Sequence, residues 1–193
     1  MDLSLTREIR VPVGDPKLAR IDIKKFLIVS LGEAAPEFTG RTLDGKEVKL
    51  SDLRGKIVLL DFWATWCGPC IQEMPHVRRA YEKYAKKGDF VVIGISLDED
   101  AGKVRGFVKQ RKIGWPQIVG GPAKENAIAK AYFVEGIPAS FLIDRDGKVV
   151  AKDVRGKDVL RKVRKVLRAG RPTERQTDSS DEQAAQNPRD ELR

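Results

Sequence analysis

A chain of 193 residues, 41% of them hydrophobic and 34% charged, suits one globular domain with extensions and a sizeable core, and no apolar run approaches the roughly 18 residues of a membrane-spanning helix. The formal charge is +9; Arg171–Arg193 holds four arginines against six acids, a balance of −2, which leaves +11 on the rest of the chain. Such a surface can attract nucleic acid or anionic lipid, but no nucleic-acid-binding motif accompanies the charge, so a solvated basic surface meeting acidic protein partners is expected and nucleic acid is not.

In chain order, residues 1–32 alternate weakly, with Ile9, Val11 and Val13 on one face and Ile21 and Ile23 after the Gly14-Asp15-Pro16 turn signal. They read as a hairpin extension or the end of an upstream domain. Asp2 stands where the basic region of a signal peptide belongs, and the longest early apolar run is only Phe26–Val29. The chain is therefore cytoplasmic, or a processed or excised part of a longer secreted one. Asp44-Gly45 predicts a short hairpin, and Ser51-Asp52-Leu53 a helical turn feeding the next strand.

The stretch Ile57–Pro75, IVLLDFWATWCGPCIQEMP, organises the rest. Its apolar opening, Ile57–Leu60, reads as a buried strand. Trp66-Cys67-Gly68-Pro69-Cys70 follows at a strand-to-helix junction, with Pro69 suited to a first helical turn. Cys67 then lies at the helix N-terminus, where unpaired N–H groups and the helix dipole favour a thiolate. Positions i and i+3 put the two Cβ atoms roughly 5–6 Å apart, so a disulfide forms only with local tightening and should open and reform readily.

The helix is predicted to run to about Lys87, with Met74, Val77, Tyr81 and Tyr84 on its core face and a kink at Pro75. Gly88 stops it, and Phe90–Ser96 is a second buried strand. Further elements are a helix over about 100–112, then the stretch Trp115–Val119 and a helix over about 123–132, and an antiparallel pair, Ala139–Asp144 and Lys148–Val154, across Arg145-Asp146-Gly147. A helix over Lys157–Ala169 carries Val159, Leu160, Val163, Val166 and Leu167 on one stripe, with Arg161, Lys162, Arg164, Lys165 and Arg168 elsewhere, which suits core packing better than a membrane surface. The segment 170–193 is nearly devoid of apolar residues and reads as a disordered tail.

The motif Trp66-Cys67-Gly68-Pro69-Cys70 behind Asp61-Phe62-Trp63-Ala64 resembles the active site of the thioredoxin superfamily. Ala35-Pro36-Glu37-Phe38, Leu43-Asp44-Gly45-Lys46 and Leu50–Lys56 are similar to the TlpA/ResA-like branch, thiol-disulfide oxidoreductases usually found outside the cytoplasm. The resemblance covers about Glu33 to Ala169. It implies a thioredoxin-like α/β fold, a central mixed sheet flanked by helices, as a domain over 33–169 with an extension at 1–32 and a tail at 170–193. The longer connection after the second buried strand is similar to the insert of this branch and of the peroxiredoxins.

The residues themselves leave some alternatives open. A structural zinc site needs four cysteine or histidine ligands, and the chain has two Cys and one His. Asp61 interrupts an apolar strand on the face of Leu59 and Trp63, so burial should raise its pKa; the alternative is an exposed strand-end acid. By resemblance Asp61 matches the aspartate that moves the proton of the second cysteine. Glu73, one turn beyond Cys70, matches a glutamate that ResA-like proteins place beside their cysteines; a surface glutamate fits equally. Pro138 matches the superfamily's cis proline, and the Ile137 backbone beside it would pair with an extended substrate segment. Trp66 and Trp115 are candidates for an apolar docking rim, Trp63 for the core, and His76 for a solvated helix position.

The expected function is protein disulfide reduction. Cys67 attacks, Cys70 resolves with help from Asp61 and Glu73, and Trp66, Gly68, Pro69, Ile137 and Pro138 contact the substrate. No bound cofactor or metal is implied; a thiol electron donor must reduce the enzyme, disulfide-containing proteins are its substrates, and a monomer is expected. One alternative is a thiol peroxidase of the peroxiredoxin type, whose Thr-x-x-Cys and upstream proline are here Ala64 and Leu60. The other is a non-catalytic docking module.

Overall fold

The computed structural model describes residues 29–169. The tail beginning at Gly170 and all but the last four residues of the expected N-terminal extension lie outside them. The described residues hold seven strands: β1 (Thr39–Arg41), β2 (Glu47–Lys49), β3 (Ile57–Trp63), β4 (Phe90–Ser96), β5 (Gln117–Val119), β6 (Ala139–Ile143) and β7 (Val149–Lys152). Four α-helices accompany them: α1 (Gly68–Tyr84), α2 (Ala101–Gln110), α3 (Ala127–Ala131) and α4 (Lys157–Ala169).

β1 and β2 form the hairpin expected around Asp44-Gly45. The other five strands make one sheet in the order β5-β4-β3-β6-β7. β3 is its centre, parallel to β4 and antiparallel to β6, and all seven of its residues are buried, as an apolar strand covered on both faces must be. Successive side chains alternate between faces. Ile57, Leu59 and Trp63 pack with Met74 and Val77 of α1, Val104 of α2, and Val159 and Val163 of α4. Val58, Leu60 and Phe62 point the other way, toward Phe38, Leu50, Ile128 and Tyr132. The apolar stripe of α4 thus faces the core. Val29 is buried in the second of these clusters, and Gly32 donates its N–H to the Val149 carbonyl (2.8 Å).

Local sequence explains where the helices stop and start. α1 contains Pro75 and passes through a 3-10 turn, Ala85–Lys87, to Gly88, whose φ of 80° is a left-handed conformation that glycine adopts without strain. Asp100 caps α2 by accepting from the N–H groups of Gly102 and Lys103. The helix expected over 123–132 is only Ala127–Ala131. Pro122 opens a turn whose carbonyl accepts from Glu125 and Asn126, and Asn126 then caps the short helix through Ile128 and Ala129. At the sheet, Gly94 leaves room for the Gln117 side chain, which accepts from the indole N–H of the buried Trp63 (2.8 Å) and donates to the Trp115 carbonyl (3.1 Å).

No helix among the described residues is long and apolar enough to cross a membrane.

Candidate active site

β3 ends at Trp63, and Ala64-Thr65-Trp66 turns the chain into α1. This loop is held by the buried Asp98 carboxylate, which accepts from the Thr65 N–H (2.9 Å), the Thr65 hydroxyl (2.6 Å) and the Ser96 hydroxyl (2.7 Å). A carboxylate with three donors around it is well satisfied despite its burial. Nothing in the sequence pattern singles out Asp98, since its partner lies 33 residues away.

Cys67 is the N-cap of α1. Its backbone is extended, and its Sγ accepts from the Cys70 N–H (3.2 Å), one of the donors a helix start leaves unpaired. Pro69 falls in the first turn, where its missing N–H is no loss. Cys67 and Cys70 are disulfide-bonded, with Cα atoms 5.3 Å apart, and both are buried as whole residues, 5% and 3% exposed. Gly68 and Pro69 are exposed, and Trp66 is 68% exposed. Trp115 does not share that rim. It is buried, 4% exposed, with its ring 5.5 Å from that of Tyr81, whose hydroxyl is anchored on the Gly114 carbonyl (2.6 Å). Its apolar surface serves the core, as does that of Trp63.

The Ile137-Pro138 bond is cis, and Ile137 packs against the cluster that contains both cysteines. Ile137 and Gly136 on one side, and Thr65 and Trp66 on the other, line a groove of about 820 Å³.

Asp61 is buried, 7% exposed, on the β3 face of Leu59 and Trp63. Loss of hydration pushes its pKa up to about 7; the positive charge of Arg155 pulls the other way and the charge of Glu73 adds to the rise. Its carboxyl is thus poised to change charge near neutrality. Glu73 is half-buried and accepts from the Gly156 N–H (2.6 Å), just before α4. The sequence missed Arg155. It follows β7, donates to the Pro138 carbonyl and the Ser140 hydroxyl, and so touches the strand that pairs Ser140 with Asp61. Only the folded register brings these three together, and no local motif announces it. Among the described residues no group of three or more His, Cys, Asp and Glu side chains is placed to hold a metal ion.

Residues 31–152 match the AhpC/TSA family. The thiol-disulfide oxidoreductase ResA of Bacillus cereus (strain ZK / E33L) is 44% identical over 124 residues, which span 64% of this chain and 69% of that protein. ResA of Bacillus subtilis (strain 168) is 34% identical over 122 residues, 63% of this chain and 66% of the relative. Among solved structures, the thioredoxin domain of a thiol-disulfide oxidoreductase from Bacteroides vulgatus superposes with a TM-score of 0.65 at 33% identity, covering 70% of this chain and 96% of that domain. A thiol:disulfide interchange protein from Bacteroides sp. does so with a TM-score of 0.67 at 31% identity, covering 76% and 96%.

Proposed function

This chain belongs to the AhpC/TSA family and, within it, groups with the ResA thiol-disulfide oxidoreductases, and from that premise we propose that it reduces protein disulfides with the Cys67–Cys70 couple. The observation that carries this reading is the capping position of Cys67 on α1, where it is disulfide-bonded to Cys70.

In the reduced enzyme the donors at the start of α1 favour the Cys67 thiolate. That thiolate attacks one sulfur of a substrate disulfide; a new S–S bond forms, and the other substrate sulfur leaves as a thiolate and takes up a proton. Asp61, ionised, accepts the proton of Cys70, either directly or through water. The Cys70 thiolate then attacks the Cys67 sulfur, closes the disulfide seen here, and expels the second substrate thiolate. Two substrate cysteines are reduced and two enzyme cysteines oxidised. The substrate chain lies in the groove between Trp66 and Ile137, with Gly68 and Pro69 exposed for its approach. A separate thiol donor restores the dithiol, and no bound cofactor takes part. By analogy with the branch it resembles, we assign it an extracytoplasmic site of action and a monomeric state.

The AhpC/TSA match raises a second reading, a thiol peroxidase. Ala64 and Leu60 stand where that chemistry wants a threonine hydroxyl and a proline, so the donor that would stabilise a breaking O–O bond is missing. Insulin reduction in the presence of dithiothreitol tests the choice. The wild-type protein should accelerate it and both Cys67→Ser and Cys70→Ser should not, while hydrogen peroxide should oxidise the reduced protein no faster than an ordinary thiolate. Rapid peroxide turnover by Cys70→Ser would reverse the assignment.

A further inference from the structure

We propose that Arg155 is a positioning residue of this site, one that holds the Pro138 carbonyl in place while turning its positive charge on the buried Asp61. The proposal rests on the reductase reading, because it concerns the proton that Cys70 must lose.

The segment that presents Arg155 is tied down on both sides. The Ser140 carbonyl accepts from the Asp153 N–H (2.8 Å), and the Ser140 hydroxyl accepts from the Val154 N–H (2.8 Å). The next peptide is fixed from the helix side, where Glu73 accepts from the Gly156 N–H (2.6 Å). Between these anchors the guanidinium reaches back along β6, with one nitrogen on the Pro138 carbonyl and another 3.4 Å from the Ser140 hydroxyl. Ser140 is the direct cross-strand partner of Asp61. A planar fork suits this bridge, since one rigid group satisfies two acceptors at once. Asp153, 3.5 Å from the same guanidinium and exposed, steadies it from outside.

The charges facing Asp61 come from two elements besides its own strand: Arg155 from the loop after β7, which favours the carboxylate, and Glu73 from α1, which disfavours it. Cys70, also on α1, supplies the proton. Loss of hydration favours the protonated form of Asp61, which cannot accept that proton. Arg155 offsets part of this. One side chain thereby links the backbone beside which the substrate docks to the carboxylate that readies the resolving thiol.

The test is a carboxyl-carbon NMR titration of Asp61 in the oxidised full chain, paired with KM for a disulfide-bonded peptide. Arg155→Gln should raise the Asp61 midpoint by about one unit, and Arg155→Lys, which keeps the charge, should leave it near the wild-type value. Glu73→Gln, which keeps an acceptor for Gly156, should lower the midpoint. KM should rise about fivefold or more in Arg155→Gln, because the docking backbone loses its brace. An unchanged midpoint in Arg155→Gln, a shift of the same sign in Glu73→Gln, or an unchanged KM overturns the proposal. Should Arg155→Gln fail to fold, Arg155→Met, which keeps an apolar stem of similar length without the charge, carries the same two predictions, a raised midpoint and a raised KM, and either one unchanged overturns the proposal. The titration needs no turnover, so failure of the reductase reading would show in the insulin assay and leave the Asp61 midpoints as they are.

Discussion

Replacing Asp61 by Asn should change how the stability of the oxidised protein depends on pH. In the folded protein the Asp61 carboxyl has its pKa pushed up from its ordinary 3.8 to about 7, mainly by burial. The folded state therefore holds this proton more tightly than the unfolded chain. Its contribution is fully present below about pH 4, is lost as the pH rises toward 7, and stays lost above. Three units at about 1.4 kcal/mol each amount to about 4 kcal/mol, of which about 3 kcal/mol falls between pH 5 and pH 9. Asn carries no charge at any pH and keeps the size of the protonated acid. The stability gap between Asp61→Asn and wild type should thus widen in favour of the variant by about 3 kcal/mol over that range. With a urea slope of about 2 kcal/mol/M, the midpoints should separate by a further 1–2 M or so. The assay is urea unfolding of both proteins, disulfide intact, at unit steps of pH. A gap that stays constant from pH 5 to pH 9 would refute a buried, proton-holding Asp61.

Asp98→Ala should destabilise the protein by about 2–3 kcal/mol and lower the reactivity of the cysteines, because it strands the Thr65 N–H and two hydroxyls beneath the active-site loop; urea unfolding and thiol alkylation rates would show it. Gly94→Ala should cost about 1–3 kcal/mol, since a Cβ there collides with the Gln117 side chain that anchors Trp63; thermal unfolding would report it, and unchanged stability would mean that Gln117 swings away freely. Limiting iodoacetamide at neutral pH should label Cys67 of the reduced protein before Cys70, as mass spectrometry of the peptides would record.

Much of this architecture is written locally. FVVIGIS admits only a short buried strand, and β4 has the expected bounds, Phe90–Ser96. The stripe in Lys157–Ala169 is a helix with those same ends. The interruption of an apolar strand by Asp61 is visible as a chemical anomaly, and burial does raise its pKa. What escaped is non-local. Trp115 looks like a docking residue in isolation, but Tyr81, 34 positions earlier, covers its ring. Arg155 is one basic residue among many until β3, β6 and α1 converge around it, with Glu73 reaching the adjacent peptide across 83 positions. Glu73 itself was readable as near the cysteines or on the surface; its hydrogen bond to Gly156 is a third role that only packing could assign.

The reductase assignment meets its most direct measurement in a trapping experiment with a disulfide-bonded peptide. Reduced Cys70→Ser, which keeps only Cys67, should accumulate a stable mixed disulfide with one peptide sulfur per protein, resolvable by dithiothreitol and located at Cys67 by mass spectrometry. Cys67→Ser, which keeps only Cys70, should form such an adduct far more slowly, because Cys70 lies within the first turn of α1 and lacks the capping position that favours a thiolate at Cys67. Equal or faster adduct formation at Cys70, or no adduct at Cys67 under conditions where hydrogen peroxide is consumed rapidly, would contradict the reading of Cys67 as the nucleophile of a disulfide reductase.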